Sequence, residues 1–461
     1  MAVLPAGDHE ELQRRRLRDA DRLYHLHSFT DHRGLADGGA FIVERAQGCR
    51  IEGEGGVVLL DAVAGLGCVN VGYGRTEIAQ AAAAAMERLA YYHTFQAVTN
   101  PEAAMLAERI ATLAPGALER VFFANSGSEA NETIVKIIRA YWRARGEPGR
   151  RVIIARDYGY HGSTLYTAGL TGLPYMHTAF GLPLDDVAHV AAPYWYRHGG
   201  DRTPEAFGRD AAAALARKIE DLGPENVAAF IAEPIQVTAG AIIPPESYWP
   251  EIVRICRDAG ILLVADEVVT GFGRTGVWFA QSHYGFEADL MTCAKGLASA
   301  YIPIAAAVAS EEVADVVLSE EGPFQHGFTT SGHPVACAVA LKNIEIIERE
   351  NLVATAAARG RYLAERLAGL AAHRLVGEIR SMGLIAGVEL VRDKATRAQY
   401  PLEAGICSRV ANACLMRGVI VRPTGNSLVL CPPFVISEAE IDAVVAALGE
   451  ALDEVARALD A

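Results

Sequence analysis

The sequence predicts an α/β fold with a mostly parallel central sheet and a second, smaller α+β domain. The chain has 461 residues, which exceeds one ordinary core and indicates two domains. Short apolar runs alternate with helical patterns through its middle, as in parallel sheets. Toward the C-terminus this alternation gives way to helices with a few short strands. We expect residues 76–335 to form the large domain and residues 336–461 the small domain, which residues 1–75 join.

The strand candidates of the large domain are almost continuously apolar, as expected when helices cover both faces of a sheet. They are Arg120–Ala124, Arg151–Ala155, Val227–Ala232, Ile261–Ala265, Leu290–Cys293 and Ile304–Ala309. Helical patterns lie between them, including Ser128–Arg145 and Tyr248–Ala259.

The small domain is predicted from a helix at Leu352–Leu370, a final helix after Ser437 and three short strands. The strand candidates are Gly383–Leu390, Val419–Arg422 and Leu428–Leu430. Val57–Asp61 has the same character, which is why we expect the N-terminal segment to join this domain.

Composition excludes several classes of protein. A content of 51% hydrophobic and 21% charged residues is that of a globular chain and not of a disordered one. The net charge of −14 argues against a nucleic-acid binder, which would show a basic face. No apolar run reaches the roughly 18 residues of a membrane span. The eight cysteines show no Cys-x-x-Cys spacing, and we expect buried thiols in a cytoplasmic enzyme.

Polar residues follow five of the predicted strands at the point where each strand ends. In open α/β sheets, ligands bind beyond the carboxyl ends of the strands, so these residues are expected to meet at one edge of the sheet. They are Asn125–Ser128, Tyr160–Gly162, Glu233-Pro234, Asp266-Glu267 and Lys295-Gly296. Hydroxyls, an aromatic ring, carboxylates and a lysine at one edge indicate an active site.

The turn Ser126-Gly127-Ser128 opens a predicted helix. Free backbone N–H groups, the helix dipole and a hydroxyl together favour a bound phosphate. Ser128 as a plain helix N-cap is the equal alternative.

Asp266 and Lys295 are the two charged residues predicted to be buried at strand ends. An ionised buried carboxylate needs a positive partner, which for Asp266 is either a structural salt bridge or a protonated pyridine nitrogen. A desolvated lysine has a lowered pKa and forms a Schiff base with a carbonyl group. The two side chains would flank opposite ends of one flat ring.

Two further patterns indicate neither a dinucleotide site nor a metal site. Gly271-x-Gly273-x-x-Gly276 matches the dinucleotide fingerprint in letters, but apolar chain follows it where a helix should begin. No histidine pair has metal spacing with a nearby carboxylate, so we predict no metal site.

With these motifs the chain resembles the class III aminotransferases of pyridoxal-phosphate fold type I, particularly the branch that transfers amino groups from ω-amino acids or amines to pyruvate. The resemblance extends from about His25 to Pro433. The matching segments are Asn125–Ala130, Tyr160–Gly162, Glu233–Gln236, Leu263–Val268, Gly271–Gly276, Ala294–Gly296, His326–Thr329 and Ser331–Pro334.

The resemblance implies pyridoxal 5′-phosphate as cofactor, with Lys295 and Asp266 as catalytic residues. Ser126, Gly127 and Ser128 would then hold the phosphate. Around the ring, Tyr160 and Val268 would pack on the two faces, while Glu233 and His161 would support Asp266. Phe328 and Thr329 would reach the phosphate of a neighbouring subunit, which implies a homodimer or a dimer of dimers.

Substrate contacts are also implied by the resemblance. Arg422 aligns with a mobile arginine that pairs with substrate carboxylates, although an ordinary surface arginine is the alternative. Gly67 stands where this branch commonly has a tryptophan, which predicts a wider pocket, and Thr330 stands where it often has a tyrosine. The aromatic pocket candidates are Phe29, Tyr91, Tyr92 and Tyr175.

The predicted function is transamination from an ω-amino acid or amine to a 2-oxo acid, first of all pyruvate. The alternatives are a 2-oxoglutarate-dependent aminotransferase of the 4-aminobutyrate or diamine type, and an aminomutase or decarboxylase on the same fold. A non-catalytic cofactor-binding module is a further alternative, disfavoured because the enzyme scaffold uses the whole chain.

Overall fold

The computed structural model describes residues 6–319 and 321–460, with side chains from residue 13 onward. The first five residues of the predicted 1–75 segment, and Ala461, lie outside the described residues. No helix in the described ranges is long and apolar enough to cross a membrane.

The strands of the described residues form three sheets. In chain order they are β1 (Val43–Gln47), β2 (Arg50–Gly53), β3 (Val57–Asp61), β4 (Leu118–Ala124), β5 (Val152–Arg156), β6 (Val187–Val190), β7 (Val227–Ala232), β8 (Leu262–Asp266), β9 (Leu290–Cys293), β10 (Ala305–Ser310), β11 (Val376–Met382), β12 (Ile385–Leu390), β13 (Val419–Ile420), β14 (Arg422–Thr424) and β15 (Ser427–Leu430).

Helices cover these sheets. In chain order they are α1 (Ala6–Tyr24), α2 (His32–Gly38), α3 (Ala64–Gly67), α4 (Thr76–Arg88), α5 (Pro101–Leu113), α6 (Gly127–Ala144), α7 (Leu165–Leu170), α8 (Trp195–His198), α9 (Pro204–Leu222), α10 (Tyr248–Ala259), α11 (Glu311–Leu318), α12 (Pro334–Arg349), α13 (Leu352–Ala368), α14 (Ile406–Leu415) and α15 (Glu438–Asp460).

The central sheet has the order β4-β10-β9-β8-β7-β5-β6. Only β10 runs antiparallel to its neighbours, so the sheet is mostly parallel, as the sequence predicts. The carboxyl ends of β4, β5, β7, β8 and β9 therefore lie at one edge.

The pleat of β7 explains why its sequence is apolar without interruption. Ile231 packs on one face with Ile134 of α6, whereas Phe230 packs on the other face with Trp249 of α10. Successive side chains point to opposite faces, and both faces are covered, so no position of β7 is exposed.

Two smaller sheets join the N-terminal and C-terminal parts of the chain. Strand β3 pairs in parallel with β13, which completes the sheet β1-β2-β3-β13. The second sheet has the order β11-β12-β15-β14. The pairing of β3 agrees with the expectation that the N-terminal segment joins the C-terminal region, while the domain boundaries at residues 75 and 335 stay predictions.

The predicted strand Val419–Arg422 is wrong as a single element. Val419 and Ile420 pair with β3, and Arg422 begins β14, which pairs with β15 in the other sheet. The backbone thus changes sheets at Val421, and apolar patterning does not reveal such a change of partner. Strands β6 and β11 are not among the sequence candidates.

Candidate active site

A cavity lies at the edge where the carboxyl ends of the parallel strands meet. Its empty volume, open solvent included, is about 670 Å³. Polar residues from all five predicted strand ends line it together, and its lining includes Gly127, Ser128, Asn131, Tyr160, His161, Glu233, Asp266, Val268 and Lys295.

The N-terminus of α6 borders this cavity. Ser126 is the N-cap, because its side chain accepts a hydrogen bond from the Glu129 N–H. The N-cap alternative for Ser128 is therefore wrong: Ser128 lies inside the first turn, and its Oγ accepts from the Ser163 N–H at 3.0 Å. A Cβ at Gly127 would lie 3.1 Å from a methyl of Val268, so this position leaves little room for a side chain.

Asp266 is buried at the end of β8 and accepts three hydrogen bonds. His161 Nδ1 lies 2.8 Å from Oδ2, Asn131 Nδ2 donates to Oδ2 at 2.9 Å, and the Val268 N–H donates to Oδ1 at 3.1 Å. Burial works to raise the pKa of Asp266, but the hydrogen bonds from His161, Asn131 and Val268 lower it on balance. The carboxylate is thus ionised at neutral pH.

His161 lies behind Asp266, fully buried. Burial works to lower the pKa of its imidazole, but the nearby carboxylates of Glu233 and Asp266 raise it overall. Among the described residues no lysine or arginine pairs with Asp266. Of the structural salt bridge that the sequence allows for Asp266, only this contact with His161 is present.

Glu233 is held at the end of β7 by two neighbours. The Tyr160 N–H donates to Glu233 Oε1 at 2.9 Å, and Arg156 Nη2 lies 3.4 Å from Oε2. Glu233 Oε2 is also 3.7 Å from His161 Nε2. Glu233 therefore fixes the Tyr160 backbone and adds negative charge next to His161.

Lys295 follows β9 and reaches the cavity from a strained backbone. Its φ is +37°, in the left-handed region that costs a non-glycine residue free energy and is found most often at functional sites. Burial lowers the pKa of the Lys295 ammonium, while Asp266 works in the opposite direction. A larger fraction of the side chain is consequently the neutral amine than in water.

A second cavity adjoins the first and shares Lys295 and Tyr160 with it. Its empty volume is about 1030 Å³, and it brings together four predicted substrate residues. These are Phe29, Gly67, Tyr175 and Arg422.

The charge in the second cavity is positive. The Arg422 side chain has no hydrogen bond or ion pair with another described residue, and none of the described residues that line the cavity is an aspartate or glutamate. Lys295 is the other basic residue in the lining. This arrangement attracts a carboxylate and repels an ammonium group.

Five predicted site residues do not line either cavity. Ser126 is the N-cap of α6 beside the first cavity. Tyr91 and Tyr92 are exposed, and the Tyr91 hydroxyl donates to the Thr329 carbonyl at 2.7 Å. Thr329 is exposed as well, whereas Phe328 packs between His326 and the cluster that contains Ala294.

Sequence reasoning missed Asn131, whereas it assigned the catalytic role to Asp266 and none to the adjacent Glu267. Asn131 lies one turn into α6, and a polar residue on an otherwise apolar helix face is the signal that identifies it. Glu267 faces away from both cavities and accepts hydrogen bonds from Thr270, Ala280 and Gln281. Burial raises its pKa to about 7.

The prediction of no metal site rests on the absence of a histidine pair with metal spacing near a carboxylate, and the structure departs from that basis in one place. Asp21, His25 and His27 bring their side chains together at the end of α1, outside both cavities. The spacing Asp-x-x-x-His-x-His mixes a helical turn with a bend, so periodicity alone does not identify it.

Comparison with known proteins identifies relatives of one kind. The family model Aminotransferase class-III matches residues 36–452. The chain is 45% identical over 439 residues to a putrescine–pyruvate aminotransferase of Pseudomonas aeruginosa, covering 95% of this chain and 96% of the relative. It is 40% identical to a diaminobutyrate–2-oxoglutarate transaminase of Halomonas elongata, covering 96% of each.

Solved structures with the same fold include an enzyme of the same kind. The ω-transaminase of Pseudomonas jessenii in complex with PMP superposes with a TM-score of 0.94 at 39% identity, covering 96% of this chain and 98% of that one.

Proposed function

The chain belongs to the class III aminotransferase family, and from that premise we propose that it transfers an amino group to pyruvate, with pyridoxal 5′-phosphate held on Lys295. The donor is an ω-amino acid or an amine without a second charged group. The chain is a transaminase of fold type I. One observation carries the proposal: Lys295 and Asp266, at the ends of neighbouring strands β9 and β8, face the same cavity.

The cavity fits the cofactor. A Cβ at Gly162 would lie 2.4 Å from Thr167 Oγ1 and 2.7 Å from Ser128 Oγ, so a side chain there would intrude on the hydroxyl and N–H groups at the start of α6. Those groups suit a phosphate. When bound, the cofactor supplies a carbonyl for nitrogen and an electron sink for the reacting carbon.

Two side chains, those of Asp266 and Lys295, control the protons in the proposed reaction. Asp266, kept ionised by its three donors, would keep the ring nitrogen of the cofactor protonated through a charged hydrogen bond. Lys295 Nζ, whose pKa burial lowers, would move the proton between the substrate carbon and the cofactor. His161 and Asn131 orient the Asp266 carboxylate for this role.

The charge of the second cavity supports the choice of substrate. Arg422 is free to meet the carboxylate of pyruvate or of an ω-amino acid in a bidentate pair. The distal ammonium of a diamine would instead meet Arg422 and find no carboxylate in the cavity lining. Putrescine, which has no carboxylate and a second ammonium group, is therefore not the kind of donor that this cavity favours.

A half-reaction experiment tests the proposal. The cofactor-loaded enzyme is mixed with one amine and no acceptor, and both the cofactor absorbance and the released carbonyl compound are followed. We expect one molecule of carbonyl compound per active site from an ω-amino acid or from an amine without a second charged group. Putrescine should release less carbonyl compound and change the absorbance less. Pyruvate should restore the absorbance more efficiently than 2-oxoglutarate. Carbon dioxide or an isomerised amine as the product would favour a decarboxylase or an aminomutase.

Lys295→Ala is the companion variant. It should fold and abolish both the reaction and the borohydride-reducible link to the cofactor. Lys342→Ala, which removes a partly exposed lysine of α12 that pairs with Glu345, is the matched control and should behave as the wild type. Wild-type turnover by Lys295→Ala would refute the assignment.

A further inference from the structure

A cluster of ligand-type side chains lies at the end of α1, separate from the two cavities. His25 Nδ1 is 3.0 Å from Asp21 Oδ1, and His27 Nε2 is 2.9 Å from Asp21 Oδ2. The potential ligand atoms of the three residues all lie within 4.8 Å of one another. Two imidazoles and a carboxylate thus converge on one point.

The local backbone explains this convergence. Asp21 and His25 are one helical turn apart, and the His25 N–H donates to the Asp21 carbonyl at 3.0 Å, so both side chains lie on one face. The chain then bends at Phe29, whose φ is +50°. His32 Nε2 lies 3.2 Å from the His27 carbonyl, a contact that fixes the bend and holds His27 beside Asp21.

The arginines of α1 next to Asp21 pair with other carboxylates. Arg18 pairs with Glu54 at 2.7 Å, and Arg22 contacts Asp19 at 3.4 Å, so the two nearest arginines of α1 have other partners. Among the described residues, the Asp21 carboxylate therefore has the two imidazoles as its side-chain partners.

The spacing suits a small divalent ion. In a tetrahedral zinc site with ligand bonds of about 2.0–2.1 Å, the ligand atoms are about 3.3 Å apart. The two histidine nitrogens lie 3.0 and 2.9 Å from the carboxylate oxygens, and all three potential ligand atoms lie within 4.8 Å of one another, so they are near the separation that an ion requires. Imidazole ligands suit zinc, copper, iron and nickel, whereas carboxylates alone suit magnesium and calcium, so two imidazoles favour an ion of the zinc type.

We propose that Asp21, His25 and His27 form a binding site for a divalent transition-metal ion of the zinc type, with water completing the coordination. The side chains of Asp21 and His27 are 22% and 21% exposed and that of His25 is 63% exposed, so an ion reaches the site from solvent. Ser28 and Phe29, which line the second cavity, follow His27 directly. The ion therefore fixes the segment that borders the substrate site.

Zinc titration of the cofactor-loaded enzyme tests this site. Zn²⁺ is titrated in competition with a chromophoric chelator, and Co²⁺ is added separately because its visible spectrum reports coordination geometry. We expect one ion per chain, and Asp21→Asn, His25→Ala and His27→Ala should each weaken binding by at least about tenfold, the loss that removing even an outer partner of a metal ligand causes.

His373→Ala is the matched control. His373 lies 3.4 Å from Asp453 and so forms a histidine–carboxylate pair without a second imidazole. Zinc affinity should be unchanged in this variant, and any metal taken up by the cofactor is common to all variants. Equal zinc affinity in the wild type and the three cluster variants, or no binding in the wild type, would overturn the proposal. Because His25 is exposed, His25→Ala gives the decisive result even if His27→Ala fails to fold.

Discussion

Asp266 and Glu267 are adjacent buried carboxylates with opposite surroundings. Asp266 lines the cavity and its hydrogen bonds lower its pKa, whereas Glu267 faces away and burial raises its pKa to about 7. The difference comes from the alternation of side chains along an extended backbone, which turns neighbours to opposite sides. The same alternation makes Glu267 a control for Asp266.

Asp266→Asn should bind the cofactor and turn over more slowly, because a neutral amide no longer holds the ring nitrogen protonated. Losing a charged hydrogen bond costs about 1.5–3 kcal/mol, or roughly 10- to 150-fold in rate. Glu267→Gln should retain turnover. Steady-state rates at confirmed cofactor occupancy decide the matter, and equal rates for Asp266→Asn and the wild type would leave Asp266 as a structural partner of His161 only.

Gly67 combines room for a side chain with a backbone that disfavours one. A Cβ there would meet Val269 at 3.5 Å and Cys431 at 3.9 Å, both ordinary contacts, but φ is +71°. Any substitution therefore carries left-handed backbone strain on the order of 1–3 kcal/mol. Gly67→Ala and Gly67→Trp share this strain and differ only in bulk.

We expect Gly67→Trp to lose activity toward bulky amines while retaining small ones, since the indole would occupy the second cavity. Gly67→Ala should lower stability without changing that preference. The measurement is the ratio of kcat/KM for a bulky and a small amine in the wild type and both variants. If Ala and Trp alter the ratio equally, the effect comes from the backbone and not from pocket size.

Patterns within a single element predicted most of the fold, and contacts between elements account for the differences. β7, β9 and α10 have the predicted bounds, because burial on both faces of a strand, or on one face of a helix, leaves a periodic signal. The break between β13 and β14 leaves no such signal, since Val419–Thr424 is one extended stretch whose hydrogen-bond partners change at Val421.

The change of sheets at Val421 also determines where Arg422 lies. As the first residue of β14, opposite Val429 of β15, it reaches the cavity that Val429 and Cys431 line. Arg422→Ala should raise KM for pyruvate far more than KM for an amine without a carboxylate. Arg422→Lys keeps the charge but lacks the planar fork, so its KM for pyruvate should lie between the values of the wild type and of Arg422→Ala. An equal rise for pyruvate and amine would contradict a carboxylate clamp.

The arrangement of the whole chain leaves part of the predicted site away from its own cavities. Tyr91, Tyr92 and Thr329 are exposed and lie together, joined by the hydrogen bond from Tyr91 to the Thr329 carbonyl. Sequence motifs identified these residues as site residues, but no single-chain contact shows whose site they serve. In a homodimer, each Thr329 would reach the cofactor phosphate in the partner's site. This explains why Thr329 is exposed in a single chain although its motif predicts a site residue, and we expect this assembly.

Mixing two inactive variants tests that expectation. Lys295→Ala removes the catalytic amine, and Thr329→Asp places a negative charge where the partner's phosphate would lie. If sites are shared, a heterodimer of the two has one site with both defects and one native site. Statistical exchange makes half of the dimers mixed, so the mixture should regain roughly a quarter of the wild-type activity per chain. Each variant alone should stay inactive, and exchange is verified with two different affinity tags. A mixture that stays inactive although heterodimers have formed would show that each chain completes its own site, because two self-contained sites with one defect each cannot rescue one another.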